Sequence, residues 1–168
     1  VPLSFEPRPR HLRASILASF TLAALLGAAP VLAQTPPDSQ TRAAAVSLFD
    51  DARELMAAGK YAEACPKLEQ SQKMDPGIGT LFNLAACHEQ IGRSASAWIS
   101  FRDVAAEARA TKQSERERIA RERAAAIEPK LTKLRVDVSA EATSIQVEVT
   151  RDGTAVPAAL WGTAVPLD

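Results

Sequence analysis

The sequence predicts a mainly α fold: two helical hairpins stacked on each other, a capping helix, and a short, incomplete β segment. Three observations lead there. Gly59, Ala64 and Leu68 recur 33 residues later as Gly92, Ala97 and Phe101, and a period in the low thirties with glycine at the turn marks stacked helix–turn–helix units. Hydrophobic residues make up 46% of the chain but aromatics only 5%, so alanine-rich, closely packed helices are favoured over a thick sheet core. From Lys133 onward the apolar period changes to two, the period of a strand.

Residues 1–33 read as a signal peptide. Arg8, Arg10 and Arg13 precede the apolar run from Ile16 to Leu26, and Pro30 leads into Val31-Leu32-Ala33, the pattern of a cleavable export signal. Cleavage is expected after Ala33, which directs the protein to the periplasm or beyond it. An uncleaved anchor is the alternative, since Ala14 to Ala33 is about long enough to span a bilayer. It would be the chain's only expected contact with a membrane. No cysteine stands at a lipobox position, so lipidation is not expected. Val1 in place of methionine reads as an alternative start codon or a clipped N-terminus. Residues 34–40, QTPPDSQ, form a polar, proline-bearing linker, and Thr41 is the expected N-cap of the first helix.

The helical repeat domain spans 41–131. In its first unit Val46, Phe49, Ala52, Leu55 and Met56 share one helical face. Gly59 ends that helix by adopting the left-handed conformation. Tyr61, Ala64, Leu68 and Ser71 mark the buried face of the second helix, which stops ahead of Pro76 because a residue before proline is pushed out of the α region. The second unit repeats the scheme with Leu81, Leu84, Ala85 and His88, then Gly92, then Ala97, Phe101 and Val104. A single hairpin cannot bury its own apolar face, so the units are expected to stack.

A third unit would need glycine at position 125, where Ala125 stands. Residues 113–127, QSERERIARERAAAI, are instead predicted to form a capping helix. It carries i,i+4 pairs Glu117–Arg121 and Arg118–Glu122 outside, and a narrow seam of Ala120, Ala124, Ile127, Leu131 and Leu134 inside. The same seam could serve a coiled-coil dimer, a route to weak self-association. Pro129 should end or kink this helix.

Residues 132–168 read as a partial β domain. Leu134, Val136 and Val138 alternate with polar neighbours, as do Ile145, Val147 and Val149, and Asp152-Gly153 supplies a hairpin turn. So short a segment cannot bury a sheet core alone. Either it packs on the capping helix or the chain is a truncated product.

The run Gly59-Lys60-Tyr61-Ala62-Glu63-Ala64 followed by Asp75-Pro76, together with Asn83-Leu84-Ala85, Gly92 and Ala97, resembles the tetratricopeptide repeat family. Asp51 and Ala52 replace the family's usual Leu-Gly, and His88 stands where an aromatic is common. The stretch from Gly59 to Trp98 is similar to secreted repeat proteins of the myxobacterial type, whose repeats are followed by a small β domain of the PEGA type. Trp161-Gly162-Thr163-Ala164-Val165-Pro166 resembles the first half of such a β sandwich. The resemblance implies a groove lined by the first helix of each unit, with Phe49, Arg53 and Met56 from one and Phe82, Asn83 and Glu89 from the other. Asn83 stands where the family often hydrogen-bonds a peptide backbone or terminus. For Phe49 and Phe82, packing between helices is an equally open reading.

Cys65 and Cys87 fall on helices that would be neighbours in a stack, so an exported chain could join them by a disulfide. Two buried free thiols fit the same spacing. A metal site of Cys65, Cys87 and His88 is disfavoured, because adjacent helical positions diverge by about 100° and the only other histidine, His11, lies in the export segment. No serine or cysteine is paired with a suitable histidine and acid, and no glycine loop is built for phosphate. No catalytic residue, metal or cofactor is therefore expected. Removing Arg8, Arg10, Arg13 and Glu6 with the export segment leaves 17 basic and 19 acidic side chains, with no basic stripe for nucleic acid. The expected function is a non-enzymatic protein–protein interaction module of the bacterial envelope, binding a protein or peptide. The alternative is a structural envelope protein that contacts peptidoglycan or surface glycan through its β domain.

Overall fold

The computed structural model describes residues 37–141 and 147–168. The expected export segment 1–33, linker residues 34–36 and Ile145 of the expected second strand lie outside the described residues. What is described is a mainly helical fold of five helices with small two-stranded antiparallel β segments. It falls within one compact unit, Pro36–Asp168.

Helix α1 runs from Ser39 to Ala57, two residues ahead of the expected start. Asp38, not Thr41, is the cap: its carboxylate accepts the Thr41 amide at 2.8 Å, satisfying one of the donors that every helix start leaves over. The buried face of α1 is also rotated slightly from the expectation. Ala45 and Ala52 are buried while Val46 is 53% exposed. Ala45 faces α2 (Tyr61–Met74), where the buried Ser71 hydroxyl donates to its carbonyl at 2.8 Å.

Helices α3 (Ile78–Gln90), α4 (Ser94–Ala110) and α5 (Ser114–Ile127) follow, each packed on its predecessor. Two apolar clusters result. One gathers Ala52, Ala64, Cys65, Leu68, Leu84 and Cys87; the other gathers Ala85, Ala97, Phe101, Val104, Ala105, Ala120, Ala124 and Ile127. Helix α3 contributes to both, so it is the middle layer. Alanine at so many of these positions lets the helices approach closely. The larger stabilisation comes from Leu68, Phe101 and Val104, all fully buried and each contributing roughly 1.5–3 kcal/mol.

Three of the four interhelical turns close alike. After α1, Gly59 N–H donates to Met56 O at 3.0 Å and Lys60 N–H to Leu55 O at 2.8 Å. After α3, Gly92 and Arg93 repeat the pair with Glu89 and His88; after α4, Lys112 and Gln113 repeat it with Arg109 and Ala108. This double bond closes a helix on a left-handed residue. Gly59, Gly92 and Lys112 have φ of +75°, +79° and +59°. The 33-residue register does end after the second unit, but the left-handed turn persists at Lys112 without a glycine to announce it.

Helix α5 stops at Ile127, and a 3-10 turn over Glu128–Lys130 contains Pro129. The expected seam is therefore shorter than read. Ala120, Ala124 and Ile127 are buried and Leu131 packs against them, but Leu134 is 37% exposed and belongs to a strand. That strand, β1 (Thr132–Arg135), pairs antiparallel with β4 (Ala164–Leu167), with Thr132 opposite Leu167. Strands β2 (Thr150–Arg151) and β3 (Thr154–Ala155) pair across Asp152-Gly153. Positive φ at both turn residues, +49° and +78°, is what a two-residue hairpin of matching twist requires. Val147 and Val149, expected within a strand, precede β2 and stand outside it. No described residue beyond Ile127 is buried, so this part depends on the helices for support.

Candidate partner-binding face

Arg123 on α5 organises the face shared with α3. Its guanidinium lies 4.5 Å from the centroid of the Phe101 ring and 6.0 Å from that of Phe82, and it pairs with Glu89. Phe82 meets Phe101 edge-on, with centroids 5.7 Å apart. A cation over an aromatic face with a carboxylate beside it holds the α3–α5 spacing. Beside this cluster opens a groove of about 570 Å³, where Phe82 and Ile119 are the apolar lining and Lys112 and Arg116 the cations. Arg116 donates to Gln113 Oε1, and neither Lys112 nor Arg116 has a carboxylate partner among the described residues. Glu115 also lines the groove, but its charge is engaged by Arg118. The hydrogen bond from that guanidinium holds the Glu115 carboxyl below its ordinary value.

The six sequence-derived groove residues form two groups. Phe82, Asn83 and Glu89 lie on α3, with Phe82 and Glu89 joined through Arg123. Asn83 is half-buried and its Nδ2–H donates to Gly79 O within its own helix at 2.8 Å. Phe49 and Met56 on α1 pack against the first apolar cluster, and the exposed Arg53 lies 5.9 Å over the Phe49 ring. No hydrogen bond or ion pair links the two groups among the described residues. Arg123, Arg116 and Ile119 are not among the expected groove residues; all three lie on the predicted capping helix, for which an inner seam and outer ion pairs, but no groove role, are expected.

A second polar cluster sits where α2, α3 and the α3–α4 turn meet. His88, 5% exposed, has Nε2 3.0 Å from Glu69 Oε1. An ionised carboxylate only accepts, so the ring nitrogen donates. Arg93 Nη1 donates to the same oxygen at 2.8 Å. The His88 hydrogen bond, and then the Arg93 contact, hold the Glu69 carboxyl below its ordinary value against the opposing effect of partial burial. Cys65 and Cys87 are disulfide-bonded, their Cα atoms 5.6 Å apart, and tie α2 to α3 one layer away. Among the described residues no group of three or more metal-binding side chains converges, and no helix is long and apolar enough to cross a membrane.

Comparison with known protein families, with curated proteins and with solved structures finds no match to this chain. A further cleft of about 220 Å³ opens between the two strand pairs, lined by apolar residues such as Val136, Val156, Leu160 and Val165 with Arg151 among them.

Proposed function

We propose that this chain is a non-enzymatic protein-interaction module of the bacterial envelope, built of tetratricopeptide-like hairpins with a PEGA-like β segment behind them. Its partner is a peptide or protein segment seated in the α3/α5 groove. The observation that carries this reading is the groove's composition: an apolar lining of Phe82 and Ile119 beside Lys112 and Arg116, which have no carboxylate partner among the described residues, while the Glu115 that also lines it is paired with Arg118. A segment offering an apolar side chain and a neighbouring carboxylate would complement it, with charge setting orientation and burial supplying affinity. The repeated turn closures after α1, α3 and α4 support the repeat reading. A disulfide between α2 and α3, together with the export pattern of residues 1–33, supports an oxidising compartment.

The alternative, a structural protein gripping glycan through the β segment, draws less support, because the cleft there is lined mainly by apolar side chains. The two are separated by incubating the chain from Gln34 onward with envelope extract and, in parallel, with purified cell-wall sacculi. Capture of a protein by the wild type and by Arg109→Glu, but not by Arg116→Glu, supports the groove. Retention on sacculi that Arg116→Glu leaves unchanged would move the function to the β segment. N-terminal sequencing of the exported protein is expected to begin at Gln34.

A further inference from the structure

Helix α4 begins without a cap of its own. Arg93 occupies the N-cap position and its side chain makes no capping hydrogen bond. The missing acceptor arrives from the β segment. Asp168, just past β4, accepts the Ser96 amide at 3.0 Å through Oδ1 and the Ser96 hydroxyl through Oδ2. Arg93 Nε stands 3.5 Å from the same Oδ2. A carboxylate is the preferred occupant of a helix N-terminus, where free amides and the helix dipole both favour negative charge.

Among the described residues, the β segment touches the helices sparingly. None of its described residues is buried, its two strand pairs are separate, and an isolated two-stranded pair is marginal in water. Its main contact with the helices is β4 on α4. That joint is loosely filled, with a cavity of about 440 Å³ between Trp98 and Ile99 on one side and Pro166 and Leu167 on the other. At its other end the segment is tethered by Leu131, which packs on the helical core.

We infer that the β segment is a flap hinged near Leu131 and fastened to the helices by a carboxylate clasp, Asp168 on the first turn of α4. Opening the clasp frees the flap and bares the Trp98 side of α4, where Ile99 is already 47% exposed, while α1 to α3 stay folded. The charged groups around the clasp are Arg93, directly; Glu69, which pairs with Arg93 from α2; His88 of α3, whose Nε2 lies 3.2 Å from Arg93 Nη1 and donates to that same Glu69; and Arg151, which lines the same cavity. Burial opposes the Asp168 charge, but the Ser96 hydroxyl, the Ser96 and Ala95 amides and Arg93 outweigh it, so its carboxyl lies below the ordinary value of 3.8. The sign follows: the clasp is fully closed above that value and opens as pH falls through the lower, folded one.

Hydrogen–deuterium exchange of the full chain, read by mass spectrometry and corrected for intrinsic rates, tests this. Asp168→Ala at neutral pH is expected to raise exchange roughly five- to thirtyfold in β1, β4 and the first turn of α4, leaving α1 to α3 unchanged. Ser96→Ala, which removes one of the donors, should move the same segments by less. As pH is lowered below the ordinary value of 3.8, the wild type should move progressively toward the Asp168→Ala pattern in these same segments. Wild-type protection of β1 and β4 in Asp168→Ala would overturn the clasp. So would a loss spread evenly over all five helices.

Discussion

Arg123 of α5 pairs with Glu89 of α3 while its guanidinium lies 4.5 Å above the Phe101 ring of α4. One side chain of α5 thus touches both α3 and α4 and fixes the width of the groove that Phe82 enters. Arg123→Ala removes an ion pair about one-third exposed and a cation–π contact, and should cost about 1–2 kcal/mol in denaturant unfolding. Glu89→Gln keeps the cation over the ring and should cost less than half as much. Equal losses from the two variants would mean that the ion pair, not the aromatic contact, carries the spacing.

Lys112 adopts φ +59° in the turn where Gly59 and Gly92 stand after α1 and α3. A side chain in that conformation is strained, and glycine relieves the strain at some cost in unfolded-state freedom. Lys112→Gly is expected to stabilise the chain by about 0.5–1 kcal/mol. The converse, Gly92→Ala, should destabilise by about 1 kcal/mol through backbone strain alone, since an added Cβ would meet nothing within 4 Å. Thermal melting of both variants checks the pair.

Much of this fold could be read from local pattern, and the misses have physical causes. Gly59 and Gly92 announce their turns because only glycine takes the left-handed conformation at little cost. Ala97, Phe101 and Val104 announce their burial by helical spacing. Ala45 and Val46 were exchanged because adjacent small apolar residues leave the rotation of a helix uncertain by one position. Lys112 carried no signal, since a lysine in a left-handed turn is imposed by the closure of the helices around it. Arg123–Glu89 and Asp168–Ser96 span 34 and 72 residues. Such pairs depend on how whole elements cross, and no local period encodes that.

The disulfide between Cys65 and Cys87 closes a span of 22 residues and joins two successive helices across the first apolar cluster. Cys65→Ala combined with Cys87→Ala should lower stability by about 3 kcal/mol, the chain-entropy value for a loop of that order. Alanine avoids burying hydroxyls without partners. A double variant as stable as the oxidised wild type would show that the bond constrains little in the unfolded chain.

Glu69 gives the helices an acid limb of their own. Its carboxyl is lowered chiefly by the His88 hydrogen bond, so its contribution is complete above the ordinary value of 4.5 and fades as pH falls through the lower, folded one. Glu69→Gln should therefore be less stable than wild type at neutral pH, and the difference should close as the solution is acidified below about pH 4.5. A gap that stays constant down to pH 3 would place the effect in packing instead of charge.

The central claim is that a partner segment lies in the α3/α5 groove, and site-specific photo-crosslinking in intact envelopes tests it most directly. A crosslinking amino acid at Ile119, in the groove, is compared with one at Ala62, exposed on α2. A discrete protein adduct is expected from position 119 that position 62 does not yield and that Arg116→Glu abolishes. Adducts of equal yield from both positions, or from position 62 alone, would contradict it.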